Sequence, residues 1–154
     1  MRIALAAALA ALPLAGCVHN IPNTEIPDTP DNRAIIEVVD QYRKAFDRRD
    51  VQGVMVLVSR GYFDDAGTSD KSDDVDYARL PQVLTETFAR VSQMRLELGV
   101  TGIATRGDEA SVDLFYDALY KIATPGQAVA KRDADVQRMH LKREGQAWRI
   151  SSGL

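Results

Sequence analysis

Four sets of side chains in this chain could do chemistry: the lone thiol of Cys17, the carboxylates of Asp113 and Asp117, the imidazoles of His19 and His140, and an acidic run from Asp64 to Asp76. With one cysteine no internal disulfide can form, and an unpaired thiol is a liability for an exported protein unless it is modified. Asp113 and Asp117 alternate with Val112, Leu114, Tyr116, Ala118 and Tyr120, so both carboxylates share one strand face with Phe115 and Leu119. If that face were internal, desolvation would raise their pKa and fit either for abstracting a proton beside a carbonyl. Burying an unpaired Asp is costly, so the apolar set is expected inside and both carboxylates in water. His140 shares the polar face of its strand with Arg138 and Lys142 and is expected at the surface. The six aspartates between 64 and 76 lack the spacing of a calcium loop and are expected to be a solvated segment. Without metal-spaced ligands, a phosphate loop or a nucleophile elbow, no metal or other cofactor is expected.

The context of Cys17 gives its chemistry a direction. Arg2 supplies one positive charge, Ile3 to Leu12 is an unbroken apolar run of Ile, Ala and Leu, and Leu14-Ala15-Gly16 leads into the thiol. A charged start, an apolar stretch and small residues at the end form a signal peptide, too short for the roughly 20 residues that span a bilayer. The four residues Leu14 to Cys17 resemble the bacterial lipobox. That resemblance implies cleavage after residue 16 and lipidation of Cys17 by a diacylglyceryl group, with palmitate-type acyl chains holding the protein on a membrane. Val18, rather than Asp, follows the cysteine, and by the same resemblance the outer membrane, on its periplasmic side, is the expected location. Residues 17–31 carry Pro22, Pro27 and Pro30 and are expected to be an extended, polyproline-like tether of some 40 Å at about 3.1 Å per residue.

The chain has 19 Lys and Arg against 22 Asp and Glu, for a net charge of −3. A mildly acidic chain without a basic cluster excludes the grouped phosphate contacts that nucleic-acid binding needs. What remains after residue 31 is large enough for one domain with one core.

Several elements must position the candidate residues. Thr29-Pro30 is a helix start, and Ile35, Val38, Val39, Tyr42, Ala45 and Phe46 recur at helical spacing behind it. Asp50 can cap a short second helix, which Gly53 is expected to weaken by about 1 kcal/mol. Tyr62 to Ala66 reads as a brief strand, and roughly residues 79 to 92 as a third helix. Alternating runs around 95–101, 112–120, 138–142 and 147–152, separated by Arg106-Gly107-Asp108, Pro125-Gly126 and Glu144-Gly145-Gln146, predict a four-stranded antiparallel meander. Helices followed by such a sheet define an α+β domain.

That order, with Tyr42 to Asp50 closing the first helix and Glu144-Gly145-Gln146-Ala147-Trp148-Arg149-Ile150 at the last hairpin, resembles the nuclear transport factor 2-like (NTF2-like, SnoaL-like) superfamily over residues 32–154. The resemblance implies a cone: three N-terminal helices packed on a curved, mainly antiparallel sheet, with a pocket at the open end. Tyr42, Tyr62, Tyr116, Tyr120 and Trp148 are candidates to line it. The superfamily contains both enzymes and binders. The favoured expectation is a non-catalytic domain taking a small apolar or amphipathic ligand or a protein partner. The alternatives are an isomerase or cyclase using Asp113 or Asp117, and a homodimer formed through the sheet.

Overall fold

The computed structural model describes residues 19–124 and 127–154. The signal peptide, Cys17 and the Pro125-Gly126 turn lie outside the described residues.

Helix α1, Pro30–Asp47, starts where the sequence places it. The Thr29 backbone is extended and its hydroxyl accepts the Asn32 N–H at 3.1 Å, while Pro30 occupies the first turn. Its end is closed by a left-handed residue: Arg49, at φ 56°, lets its own N–H reach Phe46 O and the Asp50 N–H reach Ala45 O. Asp50 then caps α2, Val51–Met55, by accepting the Gly53 N–H at 2.9 Å. Gly53 is there for steric reasons, because a Cβ would fall on the Asp50 carboxylate that makes the cap. Removing the first cap with Thr29→Ala is expected to cost about 1 kcal/mol in urea unfolding. An unchanged midpoint would show that the cap contributes nothing.

Between α2 and α3, Leu80–Ala89, lie two short strands, β1 (Phe63–Asp64) and β2 (Val75–Asp76), paired antiparallel. The sequence suggests β1 with wider bounds and gives no sign of β2, since two residues carry no periodicity. Helix α3 is also shorter than expected. Val91 sits three residues after Phe88 and continues the helical stripe on paper, yet it begins β3, Val91–Arg106. The sheet continues as β4 (Glu109–Thr124), β5 (Gln127–Glu144) and β6 (Ala147–Ser152), antiparallel in the order β3-β4-β5-β6. Gly107 and Gly145, at φ 59° and 64°, take the first central position of two-residue hairpin loops, so Arg106-Gly107-Asp108 is a turn. Past α2 the chain runs beside β6, where Ser59 N–H donates to Ile150 O and Ile150 N–H to Leu57 O.

One core joins these layers. Ile35, Val39 and Tyr42 of α1, Leu80, Leu84 and Phe88 of α3, and Val112, Leu114, Met139 and Leu141 of the sheet are all buried together.

Residues 19–28 differ from the extended tether the prolines suggest. They close a turn: Ile21 and Ile26 are hydrogen bonded, Asn23 is left-handed at φ 63°, and the Asp28 N–H donates to His19 O at 2.6 Å. Ile26 is buried, and the buried Asn32 side chain of α1 donates to Pro27 O at 2.8 Å. A polyproline strand has no internal hydrogen bonds; here the turn makes its own and is tied to the helix.

Candidate ligand-binding site

The inner face of the sheet is set by β-strand parity. On β4, Val112, Leu114, Tyr116 and Ala118 face the helices, and directly opposite them stand Ile103, Val100, Leu98 and Leu96 of β3. Between this face and helices α1 and α3 the described residues line a partly open cavity of about 270 Å³. That is near the lower end of the roughly 300–1,000 Å³ usual for small-molecule sites. Its wall is mostly apolar, from Phe46, Leu84, Leu96, Leu98, Met139 and Leu154, and its polar groups come from Tyr42, Tyr116, Thr87 and Gln137.

Tyr42 is the residue that most needs explaining. It is only 7% exposed and lines the cavity, whereas the buried polar side-chain atom left without a partner among the described residues is Trp148 Nε1. Burial pushes the phenol well above its ordinary pKa, so it stays a neutral donor and acceptor. Tyr116 stands at the other wall. Desolvation and the nearby carboxylates of Asp133 and Asp135 raise its pKa, and its hydroxyl donates to Asp133 at 3.4 Å.

The other aromatic candidates go elsewhere. Tyr62 is buried in the core, its hydroxyl donating to Asp64 at 3.3 Å. Trp148 is buried under the Arg143 guanidinium, 4.3 Å from its ring, at the opposite end of β5. Tyr120 borders a wider, open groove together with Asp47, Arg49, Met94 and Lys131. Residues the sequence does not single out complete the cavity, above all Gln137 and Leu154. Gln137 donates to Gly153 O at 2.7 Å, and the Gly153 N–H donates to Asp64 at 2.6 Å, so the end of the described chain is folded onto the cavity wall.

Asp113 and Asp117 lie on the outer face. Arg138 donates to Asp113 at 2.7 Å, and Arg132 grips Asp117 with two bonds of 2.9 and 2.5 Å. The arginine hydrogen bond is the main reason each carboxyl titrates below its ordinary 3.8. A base that is already ionised, paired and outside the cavity is not the desolvated carboxylate proton abstraction requires. A depressed folded pKa adds stability above the unfolded value, and that contribution disappears as pH falls through the folded pKa. Arg132→Ala is therefore expected to bring Asp117 back toward 3.8 in a carbon-13 NMR titration. If Asp117 already titrated there in the parent protein, the ion pair would not exist in solution.

His140 is exposed on the outer face, and His19 is exposed in the N-terminal turn. Among the described residues no three His, Cys, Asp or Glu side chains converge as metal ligands. In the acidic segment Asp64 and Asp65 accept backbone N–H groups of Ala66 and Gly67, and Asp73 accepts the Thr68 hydroxyl, which is turn chemistry.

Helices ahead of a four-stranded antiparallel sheet, with a cavity between the two, are an arrangement this chain shares with solved structures of NTF2-like type. Among the solved structures it is similar to is a candidate dehydratase from the NTF2-like family of Streptomyces avermitilis, at 13% identity over 80% of this chain and 93% of that one, with a TM-score of 0.64. A ketosteroid isomerase-like protein from Erwinia carotovora atroseptica matches at 16% identity, over 81% and 94% of the two chains, with a TM-score of 0.68. A Kribbella flavida protein matches at 16% identity, over 80% and 87%, with a TM-score of 0.69. No family model matches the chain, and no curated protein matches its sequence. Likeness at such identities is likeness of fold, which different chemistries share.

Proposed function

We propose that the protein is a membrane-anchored lipoprotein whose NTF2-like domain binds a small apolar or amphipathic ligand without transforming it. The observation that carries the binding role is the mostly apolar cavity between sheet and helices, whose wall Tyr42 and Tyr116 supply with polar groups. A ligand with an apolar body and one hydrogen-bonding atom suits that wall. The anchor rests on Arg2, the apolar run from Ile3 to Leu12 and the lipobox-like Leu14 to Cys17. These support export and attachment at Cys17, with the outer membrane facing the periplasm as the proposed site.

An isomerase or cyclase acting through Asp113 or Asp117 has little support, because no Asp or Glu is among the cavity's described lining residues. Homodimerisation through the outer sheet face has one observation in its favour: Phe115 and Val136 are cross-strand partners there and, with Leu119, are left exposed, Val136 by 76%.

Titration with indole, followed by NMR, tests the binding role. Shifts should concentrate on Tyr42, Leu84 and Tyr116, with a dissociation constant in the micromolar to millimolar range. No binding of indole, together with sedimentation as a dimer that Val136→Glu dissociates, would favour assembly instead.

A further inference from the structure

The proposed anchor and the observed N-terminal turn together bear on how the domain meets its membrane. Cys17 is two residues before His19, and two residues of fully extended chain reach at most about 7 Å. His19 is no free linker residue: its carbonyl accepts the Asp28 N–H, one residue before the cap of α1. The turn it begins is closed by the Asn20–Pro27 bridge, fastened by buried Ile26, and tied to α1 through Asn32 and through the Asp28–Arg33 ion pair.

The N-terminus of α1 also marks one end of the sheet. Asp31 in its first turn pairs with Arg143 at 2.7 Å, and Arg143 reaches Asp108 in the β3–β4 turn. Arg143 stacks on Trp148, three residues past Gly145 in the β5–β6 turn. From Glu109 at this end, the 16 residues of β4 run to Thr124 at the other, about 50 Å at strand rise.

We infer that the domain is held directly against the membrane rather than at a tether's length, with the α1 N-terminus and the Gly107 and Gly145 turns as its membrane-proximal end. The partner of this end is a lipid surface, and the far hairpin of β4 and β5 is the part held away from it. The inference rests on lipidation at Cys17. The face carries Asp28, Asp31 and Asp108 against Arg33 and Arg143, an excess of one negative charge among these five, so a neutral headgroup surface suits it better than an anionic one. Proximity here comes from covalent reach and the docked turn, and needs no charge attraction.

Trp148 is the chain's only tryptophan and lies at the proximal end, so it serves as a built-in donor. The test uses the acylated protein purified from membranes and reconstituted in phosphatidylcholine vesicles containing a dansyl-headgroup lipid. Energy transfer from Trp148 should be strong. Inserting thirty Gly and Ser residues between Val18 and His19, which adds about 30 Å of mean span, should lower it at least threefold without touching the fold. Equal transfer in the two proteins would overturn the inference, since an undocked turn already allows the domain to wander. A purified protein whose Cys17 carries no acyl groups by mass spectrometry would overturn the anchor itself, and this inference with it.

Discussion

Gly153→Val is expected to destabilise the protein by about 3 kcal/mol, and Gly153→Ala by nearly as much. The reason is the first side-chain atom. Gly153 adopts φ 86°, where any Cβ is strained, and a Cβ there would run into the Arg138 carbonyl oxygen and lie 2.9 Å from Met139 Cα. Both obstacles are β5 backbone, which cannot rotate aside as a side chain could. Relief would require lifting the tail, which breaks the Gly153 N–H bond to Asp64, the Gln137 bond to Gly153 O, and the contact of Leu154 with the cavity. For a domain of this size the loss corresponds to roughly 10 °C in melting temperature. Thermal unfolding of the two variants checks it. A harmless Gly153→Ala would mean that the tail does not lie against β5 in solution, and the cavity would then lack one wall.

The parts of the fold that could be read from sequence are those where local chemistry and periodicity agree. Thr29, Pro30 and the stripe from Ile35 to Tyr42 specify one helix without help from the rest of the chain, and the alternation around Leu114 specifies a strand. At Val91 helical spacing and the actual structure part. It fits the stripe of α3 by spacing, but its N-terminal neighbours have already used the helix, and pairing with Ile122 decides its state. The prolines at 22 and 27 suggest an extended spacer for a similar local reason. Ile26 settles the matter, because its burial stabilises a turn that composition alone does not reveal.

The site divides along the same line. Strand parity groups Tyr116 against Asp113 and Asp117 without saying which face is inward; the cost of burying an unpaired Asp favours the carboxylates outside, where the structure pairs them with Arg138 and Arg132. Parity could not say that Tyr120 would pass beyond the helices, or that Tyr62 and Trp148 would be consumed by packing, because those outcomes depend on where α1 and α3 end over the sheet. Gln137 and Leu154 gave no signal at all. They reach the cavity only because the chain after β6 folds back across β5, a long-range event fixed by Gly153 and Asp64.

Ala118→Phe should weaken indole binding roughly a hundredfold, while leaving stability within about 1 kcal/mol of the parent. Ala118 sits on the inner face opposite Leu96 and lines the cavity, so a phenyl ring there enters existing space instead of displacing packed neighbours. The separation of the two effects makes the variant informative. A core residue replaced by a larger one normally loses stability, whereas filling a real void recovers contacts that the empty protein forgoes. Calorimetric titration and urea unfolding of the same sample would read both quantities. If Ala118→Phe unfolded the protein, the 270 Å³ between sheet and helices would not be open in solution. If the variant stayed folded and still bound indole at parental affinity, the ligand would sit elsewhere. The exposed Phe115, Leu119 and Val136 face would then be the next surface to probe, which would turn the domain from a container into a platform.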